Sequence, residues 1–293
     1  MPPDPQPQPV RPPHPIHANA GVCLHPEYID ELLLLQPDVD WFEIHAARYL
    51  NDAIQQRSLT FLRQAYPLAI HISQISANTT VEEAAAALVP LIDLCKPLDP
   101  GLISVDLCAG SSGTPDRVPA PPCTHVLLNT VVDRVDQIQI ALNRRVAVSH
   151  FPIHSHHRQM EVGEGAFYSE LVRRTGCTIL VDLSAILESA AACNDHPVER
   201  LDGLLSAIPH SAFSEFHLAG TPTAANHQDR PGLTPEEWTL FMHAARTTGA
   251  RPCVANHKPP LPDLQTLLGE ATLLDVLMGL RIPEEDRTSF DVE

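Results

Sequence analysis

Four side chains with metal-binding chemistry stand near the ends of separate apolar runs. PLAIHIS carries His71 and Ser73, ISVDLC carries Asp106 and Cys108, ILVDLS carries Asp182 and Ser184, and FSEFHLAG ends on His217 before breaking at Gly220. Side chains alternate along a strand, so the members of each pair share one face. Ser149 in RVAVSHF and Asn256 in RPCVANHK take the same inward phase, while His150 and His257 fall one residue out. Imidazole and carboxylate at open positions are what non-haem iron, manganese or zinc prefers. Each residue also has a plainer role. A strand-end histidine is more often hydrogen-bonded than ligating, Asp182 suits a cap on the next turn, and His150, His154, His156 and His157 read as an exposed polar loop. Four inward polar groups on four strands weigh towards a shared centre.

Such a centre needs strands that converge, and the chain supplies them by alternation. Expected strands are GVCLH, VDWFEIHA, PLAIHIS, GLISVDLCAG, RVAVSHF, TILVDLSAI, FSEFHLAGT and RPCVANHK. Helical stretches separate them: Pro26 opens one, Thr80-x-x-Glu83 forms a capping box, Gly176 stops EGAFYSELVRRTG, Val198 to Ile208 is helical, and Thr234 caps TPEEWTLFMHAARTTG. Eight strands alternating with helices predict a closed parallel α/β barrel, the (β/α)8 TIM barrel. No strand is followed by Gly-x-Gly-x-x-Gly, so a dinucleotide-binding open sheet lacks its fingerprint. The first 18 residues (1–18) are proline-rich and read as a disordered tail, with a barrel domain over 19–281 and a short tail over 282–293.

Bulk composition bounds the partners. A formal charge of -17 argues against nucleic acid or an anionic membrane surface. Seven cysteines without a CxxC pair, and no apolar run of membrane length, point to reduced thiols in a soluble cytoplasmic protein.

Several phrases are familiar in order and spacing. PDVDWFEIHAARYL, YPLAIH, RRTGCTILVDLSAILESA, FSEFHLAGT and PLPDLQTLLGEA resemble the multinuclear non-haem iron-dependent oxidases, xylose-isomerase-like barrels that modify ribosomally made peptides, often at cysteine. The resemblance runs from about Gly21 to Ala271. It implies an iron cofactor, another divalent metal being the alternative, a peptide substrate, and a small partner protein that presents the leader of the precursor. Three family ligand positions are retained as His71, Asp182 and His217. Where the family has Glu-His on the fourth strand this chain has Val105-Asp106, and Asp106 is the carboxylate left to coordinate. Ser149-His150 replaces a bridging Glu followed by Asn, Ser184-Ala185 replaces Asn-Asn, Thr221 replaces a second His, and Asn256 replaces the last Glu. An Asp-x-His pair is inverted as His227-Gln228-Asp229, which implies that His227 and Asp229 handle protons beside the metal.

Two functions follow as expectations. One is a divergent peptide oxidase with a reduced, mononuclear site on His71, Asp106, Asp182 and His217. The other is a non-catalytic descendant that keeps only a peptide- or partner-binding surface. A sugar isomerase or hydrolase on the same barrel ranks third, because fold does not fix function.

Overall fold

The structure is a computed structural model in which residues 15–76, 80–108, 123–152, 160–219, 232–257 and 261–280 are described. Eight strands, β1 (Ala20–Leu24), β2 (Phe42–His45), β3 (Leu68–Ser76), β4 (Leu102–Cys108), β5 (Ala147–Ser149), β6 (Thr178–Asp182), β7 (Phe213–Leu218) and β8 (Cys253–Ala255), close into one barrel in chain order. Every pairing is parallel, and β8 returns to β1 through Gly21 opposite Val254. The expected α/β barrel is the observed fold.

Around it run α1 (Ile29–Leu35), α2 (Ala53–Leu62), α3 (Val81–Leu98), α4 (His125–Leu142), α5 (Glu164–Thr175), α6 (Leu183–Cys193), α7 (Pro197–Ala207), α8 (Pro235–Thr248) and α9 (Leu264–Leu277). Local chemistry sets their ends. Thr80 and Thr234 form reciprocal capping boxes with Glu83 and Glu237. Gly176 ends α5 at φ +69°, a left-handed value that glycine adopts at no steric cost. The sixth strand is shorter than TILVDLSAI suggests. Asp182 ends it, accepting the Ser184 and Ala185 N–H groups at 2.9 and 3.2 Å, and LSAI becomes the first turn of α6. So β6 is followed by two helices, not the one expected at Val198.

Strand alternation sorts the core into two parts. Outward residues such as Val22, Phe42, Ile70, Val105, Val148, Val181 and Phe216 pack beneath the helices in the main apolar cluster. Among the described inward-facing residues, Cys23, Trp41, Ala69 and Val254 form an apolar plug, and Ala147 and Leu180 share the inward phase of Ser149 and Asp182. Gly21 lets the Trp41 indole cross the barrel floor, since a Cβ there would lie 2.4 Å from the ring. Above the plug, where most barrels carry branched aliphatic layers, this one buries Glu43, His71, Ser104, Glu215 and His217.

Candidate metal centre

Buried charge is costly unless paired, so an interior layer of carboxylates and imidazoles needs an account. Neighbouring strands bring the groups to one level: Cys23 lies opposite Glu43, His45 opposite His71, and Asp182 opposite His217. The His217 Nε2 lies 3.1 Å from Glu43 Oε2 and 3.4 Å from Glu215 Oε1. His71 is held at both nitrogens, with Ser104 Oγ 2.8 Å from Nδ1 and Asp106 Oδ2 3.0 Å from Nε2. His45 and His71 lie side by side on β2 and β3, and His217 reaches His71 from β7 across the barrel. The rings are tilted, with centroids 4.8 Å apart for His45–His71 and 5.2 Å for His71–His217.

The electrostatics follow from this crowding. Burial opposes the charged form of His217, yet Glu43 and Glu215 outweigh it and hold the imidazole protonated well above its ordinary range. His71 is raised in the same way, against burial, mainly by Asp106. Burial lifts the Glu215 carboxyl and the nearby Glu43 charge lifts it further, whereas the histidines around Glu43 overcome burial and keep that carboxylate ionised. Burial and the neighbouring His71 push His45 down to about 3, so it is neutral. Without a cation, imidazolium protons balance the buried carboxylates.

These donors fit a divalent transition metal. Glu43, His71 and His217 each offer one ligand atom, and the three atoms lie within 4.8 Å of one another. Two imidazoles and one carboxylate make the set favoured by iron(II) with open positions. Glu43 Oε1 and His45 Nε2 are buried without a hydrogen-bond partner, as donors reserved for a cation would be. Directly above lies a cavity of about 510 Å³, walled by His45, Arg48, His71, Asp106, Ser149 and Asp182 among others.

The residues singled out in the sequence take different places. His71 and His217 come together, and Asp106 joins them through its bond to His71. Asp182 lines the same cavity, with one oxygen committed to the cap of α6. His227 and Asp229, with Thr221, lie outside the described residues, as do His154, His156 and His157. His150 is not an exposed loop residue: it is buried, its Nε2 3.0 Å from Glu164 Oε1. His257 is likewise turned out of the barrel, 2.6 Å from Glu270 Oε2, as its phase requires. Glu43, His45 and Glu215 were not singled out from the sequence. The signal was present, because an acidic residue in the inward phase of VDWFEIH and of FSEFH has no solvent to face.

Comparison with known proteins agrees with this picture. Residues 19–278 match the family described as RiPP precursor modification enzyme MbnB/TglH/ChrH, where RiPP denotes a ribosomally synthesised and post-translationally modified peptide. A UPF0276 protein from Chromobacterium violaceum is 26% identical over 271 residues, covering 88% of this chain and 94% of its own. Among solved structures, the IolI protein with a bound zinc atom aligns at a TM-score of 0.59, with 12% identity over 90% of this chain and 99% of its own. D-Psicose 3-epimerase from Clostridium cellulolyticum aligns at 0.56, with 12% identity over 90% of this chain and 100% of its own. At that identity the two structures share the barrel fold and nothing finer. Among the described residues, no helix is long and apolar enough to cross a membrane.

Proposed function

Since this chain belongs to the RiPP precursor modification enzyme family MbnB/TglH/ChrH, we propose that it modifies a ribosomally made peptide at a metal centre inside the barrel. The carrying observation is the convergence of Glu43, His71 and His217 beneath an open cavity. His71, His217 and Glu43 would hold the metal, iron(II) by donor set, with Asp106 beside His71 and the second oxygen of Asp182 available at the cavity wall. Bound iron would supply dioxygen binding and a route for electrons from a substrate side chain, such as a cysteine thiol, to that dioxygen. The protein's own groups prepare that chemistry. Ser104 fixes the His71 ring, and Glu215 holds a proton near His217 that can leave when a cation arrives. The Trp41 plug fills the barrel floor, and solvent and substrate would enter from the cavity side. His227 and Asp229 are proposed to handle protons, and a small leader-presenting protein is the partner the family membership suggests.

The test uses a short cysteine-containing candidate precursor peptide, sought in the neighbourhood of this gene. Protein reconstituted with iron(II) without oxygen, then exposed to air with that peptide, should change the peptide's mass. The change should be absent with His217→Ala. An unaltered peptide from iron-loaded protein, with and without a candidate leader-presenting protein, would contradict the proposal.

A second reading has its own support. The ion pairs of His217 with Glu43 and of His71 with Asp106 neutralise one another without a metal, as a barrel kept only for binding a peptide would need. That reading requires His217→Ala to leave peptide binding intact and wild-type protein to carry no iron.

A further inference from the structure

A second group of donors stands beside the first, on the opposite side of the Glu43 carboxylate. Cys23, Glu43 and His45 each offer a ligand atom, and the three atoms lie within 4.8 Å of one another. From these residues we infer that the barrel contains a distinct thiolate site for a divalent transition-metal ion, zinc(II) or iron(II) in class, formed by Cys23, His45 and the Oε1 oxygen of Glu43. It shares Glu43 with the histidine site proposed above but does not need that site to be filled.

Three observations carry this assignment. Glu43 is fully buried, and its two oxygens are used differently: Oε2 meets His217 at 3.1 Å, whereas Oε1 has no hydrogen-bond partner. The His45 Nε2 is also buried without a hydrogen bond and lies 3.8 Å from Glu43 Oε1. That gap is too long for a hydrogen bond. It is close to the roughly 3.4 Å that separates two donors on one tetrahedral ion at ordinary metal–ligand lengths. Thirdly, Cys23 completes the triangle from the neighbouring strand, directly opposite Glu43 in the β1–β2 register. Its thiol makes a long contact, 3.6 Å, to Asn256 Oδ1 and lies beside the Arg48 guanidinium, whose positive charge favours the thiolate.

The chemistry of the three donors is self-consistent. A thiolate and an imidazole prefer a borderline-soft ion, and the carboxylate supplies a second negative charge. Binding releases the thiol proton to solvent, so the ion meets two anionic ligands and one neutral one. Three protein ligands leave a fourth position open, the pattern of catalytic and not of structural zinc sites. His45 lines the cavity wall while Cys23 sits in the apolar plug, so the open position faces the cavity. A carboxylate with one oxygen turned to each site can bridge two cations held a few ångströms apart. Glu43 on β2 thus stands where one carboxylate could serve both sites, a role that Ser149 on β5 cannot fill.

Cobalt(II) titration of full-length, metal-depleted protein under nitrogen tests this. Thiolate ligation gives a near-ultraviolet sulfur-to-cobalt charge-transfer band, and tetrahedral or five-coordinate cobalt gives visible ligand-field bands. The wild type should show both, with a near-ultraviolet band that saturates at about one equivalent. Cys23→Ser should lose the charge-transfer band and keep visible absorption from the histidine site. His217→Ala should keep the charge-transfer band. Cys23→Ala serves where serine disturbs the plug, and circular dichroism confirms folding of each variant. A wild type with visible bands alone would overturn the thiolate site and leave the histidine site standing. A charge-transfer band that survives in both folded Cys23 variants would place the sulfur ligand on another cysteine and overturn the assignment. Absence of both bands would defeat both sites together.

Discussion

Glu43 is the side chain on which the site turns. It lies between His217 and His45, fully buried, and none of its neighbours among the described residues is an arginine or lysine within ion-pairing distance. Replacing it with glutamine keeps the shape and removes the anion. Protein carrying Glu43→Gln should therefore lose tight metal binding at both proposed positions while remaining folded, as read by equilibrium dialysis with iron(II) and zinc(II). The imidazoles set the pH response. His71 and His217 have folded values raised above 6.5, so their ion pairs stabilise the metal-free protein below that pH, and the contribution fades as pH rises through the raised values. Metal binding runs the other way, because the ion must displace those protons. Affinity should climb with pH by up to about 10-fold per unit for each proton displaced. Calorimetry in two buffers of different ionisation enthalpy would report the released protons; a pH-independent affinity would show that these imidazoles are not ligands.

At the scale of elements, the ends of strands and helices position the site, and their sequence signals differ in strength. The capping box at Thr80, the cap at Thr234, the glycine stop at Gly176 and the period-two strands were legible because each depends on local chemistry. The start of α6 was not, since DLSAI continues an apolar run and only the Asp182 side chain, turned back on two N–H groups, ends the strand. The contact that locks this corner is long-range. Ser184 Oγ accepts the Ala219 N–H at 2.9 Å and donates to Glu237 Oε1 at 2.8 Å, while Glu237 Oε2 completes the box at the start of α8. Glu237→Ala would strand half-buried donors, the Ser184 hydroxyl and the Thr234 N–H, at the starts of two helices and should cost about 1–3 kcal/mol. Thr80→Ala breaks an exposed cap and should cost only about 1 kcal/mol. Denaturant unfolding of the two variants separates them; equal losses would mean that Glu237 does nothing beyond capping.

For the whole molecule, the division of the barrel interior into an apolar floor and a polar upper layer explains how one chain both folds and carries buried charge. Hydrophobic burial beneath the helices supplies the stability, and the floor needs only a few side chains around Trp41. Gly21→Ala would press a methyl group into that indole and should lower stability by about 1–3 kcal/mol, visible as a reduced Tm. The barrel and its closure were readable from eight alternating runs. Strand phase put the candidate residues inside: His71, Asp106 and Asp182 line one cavity, and His217 meets His71 and Glu43. Glu43 escaped because it sits in the middle of β2, and a polar residue away from a strand's end looks like pattern noise until register sets it against Cys23 and ring geometry sets it against His217.

The buried donors are proposed to hold a transition metal, and elemental analysis of protein purified without oxygen, wild type beside Glu43→Gln, is the shortest route to an answer. Each wild-type chain should carry at least one equivalent of iron or another transition metal, and the folded variant should lose it. A wild-type chain that carries no metal and takes up none on anaerobic reconstitution, or a Glu43→Gln chain that keeps the full complement, would contradict it.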